Sequence, residues 1–266
     1  MKTDINMRAW YWRHGFLLGA HRYVLKRSKR PYRRFSATVI IGLSGDVQVE
    51  IGDGVSITTR AIVLAPKVMR LNTVALDSDV VILDIHVSAV EFPLLEALLG
   101  GEQFKVLDLA LLAPVQTELM GAVTGALPAG RVYPLVQQAV ALLCGQQALV
   151  QVDYPAPVKK VISILEAGPM DQVSVKALAQ QVCLSESRLR AVFSKRMGCT
   201  ISEYMRWLAV WKAIWMWSAG QPLIEVAVEI GFYDLAHLNK AFNEIFGMNP
   251  SDVFKSEHVE VLRCDA

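Results

Sequence analysis

Between Ser36 and Val87 apolar and polar positions alternate with a period of two. SATVIIGL, GDVQVEIG, GVSITTRAIVLAP, RLNTVAL and VVILDIHV are short, rich in β-branched residues and separated by Gly, Asp or Pro. That spacing predicts strands of a sandwich or barrel. From Glu91 to Gln147 the period lengthens to three and four, in FPLLEALLG, FKVLDLALLAPVQTELMGAVTGAL and VYPLVQQAVALLCG. Two or three amphipathic helices follow, apolar enough to need a partner surface. Their own strands and a second copy of the chain are the two surfaces open to them. Gln146 to Pro157 ends in Tyr-Pro-Ala-Pro, where alternating prolines stop a helix, and reads as a linker. Beyond it every segment is helical, beginning with a helix over Val158–Ala167 that Gly168-Pro169 breaks.

The stretch Gln221–Phe254 reads as two short helices around a tight turn. Pro222 suits a first helical turn, Val226, Ala227 and Ile230 recur at helical spacing, and Gly231 supplies a left-handed stop. Asp234 can cap the second helix. Leu238, Ala241, Phe242, Ile245 and Phe246 form its apolar stripe, and Gly247 ends it. The opposite face presents Ala236, His237, Asn239, Lys240 and Asn243. Short helix, glycine turn and second helix with a polar outer face make the layout of a helix-turn-helix, although an ordinary helical hairpin shares it.

The unit occurs twice. Val173–Tyr204 lays onto the later segment with Ala179 over Ala227, Phe193 over Phe242, Gly198 over Gly247 and Ser202 over Ser251, slipping by one residue inside the turn. In the first copy Cys183 stands where the second has Gly231, so its turn is less well specified. The helix over about Glu186–Met197 buries Leu189, Val192, Phe193 and Met197 and presents Ser187, Arg188, Arg190, Ala191, Ser194 and Lys195. Arginine can bind guanine O6 and N7 bidentately. A helix over roughly Ser202–Ser218 joins the copies. At roughly 25 Å it can hold two recognition helices near successive major grooves about 34 Å apart.

The GF–x9–F–x4–G–x2–P pattern of Gly231, Phe232, Phe242, Gly247 and Pro250 resembles the signature of AraC-family transcription regulators. The resemblance covers roughly residues 155–255. It implies base reading by Ser187, Arg190 and Ala191 in the first copy and by Leu235, Ala236, Asn239 and Lys240 in the second. Three positions depart from the family pattern: Ala191 and Ala209 stand where arginine is common, and Val253 replaces an aromatic that Phe254 could supply. The order of the N-terminal strands also resembles the small cupin-like barrel of such proteins, more loosely, through Gly42-Leu43-Ser44-Gly45 and Arg60–Pro66. A barrel of that kind can hold one small ligand. In related regulators the helices after it form a dimer interface.

Composition adjusts this reading in three places. Hydrophobic residues make up 53% of the 266, so large buried faces or an oligomer interface are expected. No apolar run approaches a membrane span, and the first twelve residues do not look secretory. The four cysteines lack metal-ligand spacing, so a soluble, cytoplasmic chain is expected. Seven basic residues and no acid lie between Arg22 and Arg34, a solvated edge or an anion site. His21 and His86 form no His-x-His cluster and Lys67-Val68-Met69-Arg70 follows Pro66, which speaks against the catalytic cupin alternative and its metal.

The reading is α+β. A cupin-like sensor and dimerisation barrel is expected over 1–147, a linker over 148–157, an all-α domain with two helix-turn-helix motifs over 158–256, and a tail over 257–266. Double-stranded DNA is the expected partner, with a homodimer and a small effector in the barrel. No cofactor or catalytic set is expected. A metal-dependent cupin enzyme with a helical accessory domain is the competing class.

Overall fold

The computed structural model describes residues 6–22, 24–25, 31–52, 54–75, 77–145, 154–167, 173–218, 221–251 and 258–264. The Gly168-Pro169 break, Lys26, Arg27, Lys29 and Arg30 of the basic run, most of the linker, and Val253 and Phe254 fall outside them. The chain divides into two compact units, Met1–Gln151 with Asn243–Ala266, and Val152–Phe242.

The first unit contains strands β1 (Met7–Trp12), β2 (Gly15–His21), β3 (Val24–Leu25), β4 (Tyr32–Arg33), β5 (Ser36–Gly42), β6 (Val47–Ile51), β7 (Val55–Thr59), β8 (Ala61–Leu64), β9 (Met69–Ala75), β10 (Asp79–His86) and β11 (Phe104–Val106). Three helices accompany them, α1 (Phe92–Leu99), α2 (Gln116–Thr124) and α3 (Ala129–Leu143), with a 3-10 turn at Leu109–Val115. A last strand, β12 (Val259–Arg263), comes from the end of the chain. Seven strands pair in the order β11-β8-β5-β10-β2-β1-β12, and the second sheet runs β3-β9-β6-β7 with β4 also on β9.

The expected closed barrel is corrected to two open sheets. Closure requires edge strands to pair with one another, and among the described residues β7 and β3 remain edges of one sheet, β11 and β12 of the other. The division falls at Arg60, between β7 and β8. Its Nε donates to the Gly42 carbonyl at 3.0 Å and its Nη2 to the Leu43 carbonyl at 2.8 Å, fixing the chain as it passes between sheets.

Burial follows the sequence pattern closely. β6 alternates buried and half-buried residues, as a strand with one covered face must. β5 is buried at all seven positions, and β10 at seven of its eight, which places both at the centre of the larger sheet. Helix α2 crosses β2 so closely that a Cβ on Gly19 would sit 2.4 Å from the Ala122 carbonyl oxygen, so only glycine fits there. The apolar faces of α1, α2 and α3, including Leu95, Leu119, Leu135 and Val140, are covered within the chain. In this region Val90, Val106 and Leu111 are the large apolar side chains left exposed among the described residues.

Several polar groups buried in this unit are paired internally. Arg34, 5% exposed, gives Nη1 to Asp84 at 2.7 Å, and Thr38 adds its hydroxyl to the same oxygen at 2.8 Å. One member of the basic run therefore meets an anion inside the protein, while Arg22 and Arg33 are exposed. At the far end of β10, Ser88 bonds His86 at 2.7 Å and His14 at 2.9 Å. Burial, then the Arg13 charge, holds the His14 imidazole down to about 4, and burial likewise keeps His86 neutral. His21 is far more exposed and bonds Asp79 at 2.5 Å. Among the described residues no group of three or more metal-ligating side chains gathers, and no helix is long and apolar enough to cross a membrane.

The second unit is helical: α4 (Ala156–Ala167), α5 (Val175–Gln181), α6 (Glu186–Met197), α7 (Ile201–Ser218), α8 (Leu223–Ile230) and the start of α9 (Leu235–Phe246). Phe193, Tyr204, Trp207 and Trp211 form a ladder of rings 5.7 Å apart, joining α6 to α7. Trp207 and Trp211 are buried as the four-residue spacing predicts, whereas Trp215 is half-exposed.

Candidate nucleic-acid interface

Each recognition helix is built from local signals. Ser174 caps α5 by accepting from the Ala177 amide at 3.1 Å, and Ser185 caps α6 by accepting from Arg188 at 3.3 Å. Between them Cys183 adopts φ 55, the left-handed conformation that a non-glycine residue reaches at a cost. Gly198, at φ 63, ends α6. Thr200 and Glu203 then close a reciprocal capping box at the start of α7, at 2.7 and 3.1 Å. In the second motif Gly231 turns at φ 99, and the Asp234 carboxylate accepts from the His237 amide at 2.7 Å to start α9.

On α6 the residues Ser187, Arg188, Arg190, Ala191 and Lys195 are exposed and Ser194 is half-buried, while Leu189, Phe193 and Met197 are buried. The exposed positions offer two guanidiniums, an ammonium and a hydroxyl. Glu186 lies one turn before Arg190, 3.8 Å from its Nη2. On α9, Ala236, His237 and Lys240 are exposed, and Leu235, Asn239 and Asn243 are half-buried. Asn243 stands apart from the rest: it belongs to the first unit, and its Nδ2 donates to Asn249 Oδ1 at 3.5 Å. The 18 residues of α7 span about 27 Å between the motifs, near the 34 Å repeat of the major groove.

Two features had no clear sequence signal. Tyr154, at the end of the linker, places its ring 4.7 Å from the Arg196 guanidinium at the end of α6. A lone tyrosine ahead of two prolines does not announce a cation–π partner forty residues on. The second is the outer face of α8, where Ile224, Glu225, Val228 and Glu229 are exposed beside Tyr233. The first helix of a DNA-bound motif crosses the phosphate backbone. α5 brings Lys176 to that position class, and α8 brings two carboxylates.

A family model described as a helix-turn-helix domain matches residues 178–256, the region that holds both turns and both recognition helices. HptR of Staphylococcus aureus, a transcriptional regulatory protein, is 26% identical over 191 residues, covering 70% of this chain and 75% of HptR. These matches support the resemblance to AraC/XylS-family regulators over the helix-turn-helix region. GbdR of Pseudomonas aeruginosa, an HTH-type transcriptional regulator, is 28% identical over 95 residues, 35% of this chain, and the match spans only 26% of GbdR. ToxT of Vibrio cholerae shares the fold, with a TM-score of 0.56 at 13% identity over 89% of this chain and 96% of ToxT. ToxT bound to an unsaturated fatty acid gives 0.53 at 13% identity over 89% and 94%. In this chain the glycine and aromatic positions of the signature have visible structural roles. Gly231 and Gly247 are left-handed helix ends, and Phe232 and Phe242 are buried.

Proposed function

We propose that this chain is a sequence-specific DNA-binding transcription regulator that reads two successive major-groove segments, one with α6 and one with α9. The carrying observation is the pair of capped recognition helices separated by a helix of about one groove repeat. Ser187, Arg188, Arg190, Ser194 and Lys195 read or grip the first segment, and Ala236, His237, Asn239 and Lys240 the second, with Asn243 at its margin. The DNA-binding part corresponds to residues 158–256, and residues 1–147 sense an effector and dimerise.

A small apolar carboxylate is the effector class that fits. ToxT has been solved with an unsaturated fatty acid. In this chain an apolar cleft of about 220 Å³ opens between Leu43, the 3-10 turn and Leu119 of α2. Selection of duplexes from a random library by the full-length chain tests the DNA reading. Two enriched blocks about one helical turn apart are expected, and no enrichment would overturn it. Native mass spectrometry with a fatty-acid panel tests the effector.

A further inference from the structure

The large apolar side chains that the helical unit leaves exposed, among its described residues, fall together at α8 and its turn. They are Ile224, Val228 and Tyr233, at 60%, 62% and 91% exposure. Ile224 and Val228 stand one turn apart on the outer face of α8, away from Val226, Ala227 and Ile230, which are buried. Phe232 is buried and sets its ring edge-on to His237 at 5.2 Å, which anchors the turn and leaves Tyr233 in solvent. Glu225 and Glu229, also exposed, flank the apolar pair, and neither has an ion-pair partner among the described residues. No basic residue occurs between Lys212 and His237.

The duplication supplies an internal control. With Ala179 over Ala227, Lys176 takes the place of Ile224, Gln180 that of Val228 and Gln181 that of Glu229, and all three are exposed at α5. The same scaffold thus forms with a polar, weakly basic face, so packing does not require isoleucine and valine on the outside of α8. An apolar patch rimmed by charge and not needed by the core marks a contact surface. We propose that the outer face of α8, with Tyr233, docks a basic amphipathic helix of a protein partner. Charge selects that occupant. The phosphates of a duplex would meet Glu225 and Glu229 unpaired, and the same face of a second copy would bring like carboxylates together. A helix with leucines one turn apart packs beside Ile224 and Val228, and its lysines or arginines reach the two carboxylates. Tyr233 ends the contact as an aromatic anchor. The patch is small, so the complex is transient, with a dissociation constant in about the micromolar range. The surface lies wholly within the helical unit, outside the residues assigned to base reading.

Fluorescence anisotropy of a labelled helical peptide against the full-length chain tests the docking. The probe is a peptide of about 18 residues with leucines along one face and lysines beside them. A version with glutamate for lysine and a scrambled lysine version are its controls. The lysine peptide is expected to bind, the glutamate version not to bind, and the scrambled version to bind at least about tenfold more weakly. Ile224→Lys, Val228→Gln and Glu229→Gln together, the residues that the first motif carries, should weaken the lysine peptide by about tenfold or more. Tyr233→Ser removes a side chain that is 91% exposed, so it keeps the test open if the triple change unfolds the motif. It should weaken the peptide by about threefold or more. Glu225→Gln with Glu229→Gln should weaken it by about threefold and flatten its salt dependence. Unchanged affinity in Tyr233→Ser and the triple variant, or equal binding of the scrambled peptide, would overturn the proposal. So would self-association of the wild-type chain that Tyr233→Ser abolishes, since the occupant would then be a second copy. The peptide arm uses no DNA. Loss of affinity for a selected duplex in Tyr233→Ser would put this face on DNA and overturn the docking, whereas failure to select any duplex would remove the DNA reading alone.

Discussion

The two helix-turn-helix motifs share a chain path and differ in nearly everything that grips DNA. Residues 174–198 carry five basic side chains against one acid, a balance of +4, whereas residues 222–247 carry one basic against four acids, a balance of −3. The first turns on a strained cysteine and the second on a glycine. Phosphate contacts supply most of the sequence-independent affinity for DNA. On the proposed reading the first motif holds the duplex by charge, and the second contributes little of that term. A duplicated unit need not divide its work evenly: here one copy carries most of the positive charge.

Acid should separate the copies most. The His14 imidazole is held down to about 4 against an ordinary 6.5, so the unfolded chain takes up its proton first as pH falls. The stability from keeping it neutral is full above pH 6.5 and is lost progressively toward pH 4, about 3 kcal/mol in all. His86, buried beside Ser88 and held low in the same direction, adds to that loss. The affected unit contains the end of α9. Hydrogen exchange at pH 5, corrected for intrinsic rates, should therefore show α9 loosened more than α6, and His14→Gln should reduce the difference. Equal loosening would show that the end of α9 does not follow the sheet unit.

Arg190→Ala should cost about 1–3 kcal/mol on a selected duplex and relax base preference in one segment. Lys240→Ala should instead relax base preference in the other segment, about one helical turn away, at a smaller cost. A larger loss for Lys240→Ala would reverse the assignment of grip, and salt-dependent anisotropy decides it. At the turns, Gly231→Ala should destabilise by about 1–2 kcal/mol, because its φ of 99 has no comfortable place for a Cβ. Cys183→Gly should stabilise by less than about 1 kcal/mol, since relieved strain is partly offset by a freer unfolded chain. Urea unfolding followed by tryptophan fluorescence reads both. The smallest contrast is at the caps, where Ser185→Ala and Asp234→Ala should each cost about 1 kcal/mol.

Much of the interface was legible because its signals are local. Pro222, Gly231 and Asp234 announce a helix start, a stop and a cap within a few residues, and the structure has each of them in place. The same holds for the stripe of Leu238, Ala241, Phe242, Ile245 and Phe246, all of them buried. The N-terminal strands were legible as strands, yet not their closure, since an alternating pattern says which face is covered and not which edge pairs with which. Arg34 shows the limit within one residue. Inside a run of basic side chains it looks like surface charge, and it is buried because Asp84, fifty positions on, lies beside it in the folded unit.

Helix ends, turns, the duplicated motif and the family resemblance follow from residues near one another in the chain, because caps and left-handed turns are decided by a handful of adjacent dihedral angles. The two open sheets, the ring of Tyr154 against Arg196, the return of the chain after α9 and the pairing of β12 with β1 were decided only by the tertiary structure. Such contacts depend on which distant edge or charge is left unfilled once the local elements have packed. Five residues of strand, four half-buried and one exposed, carry no record of that.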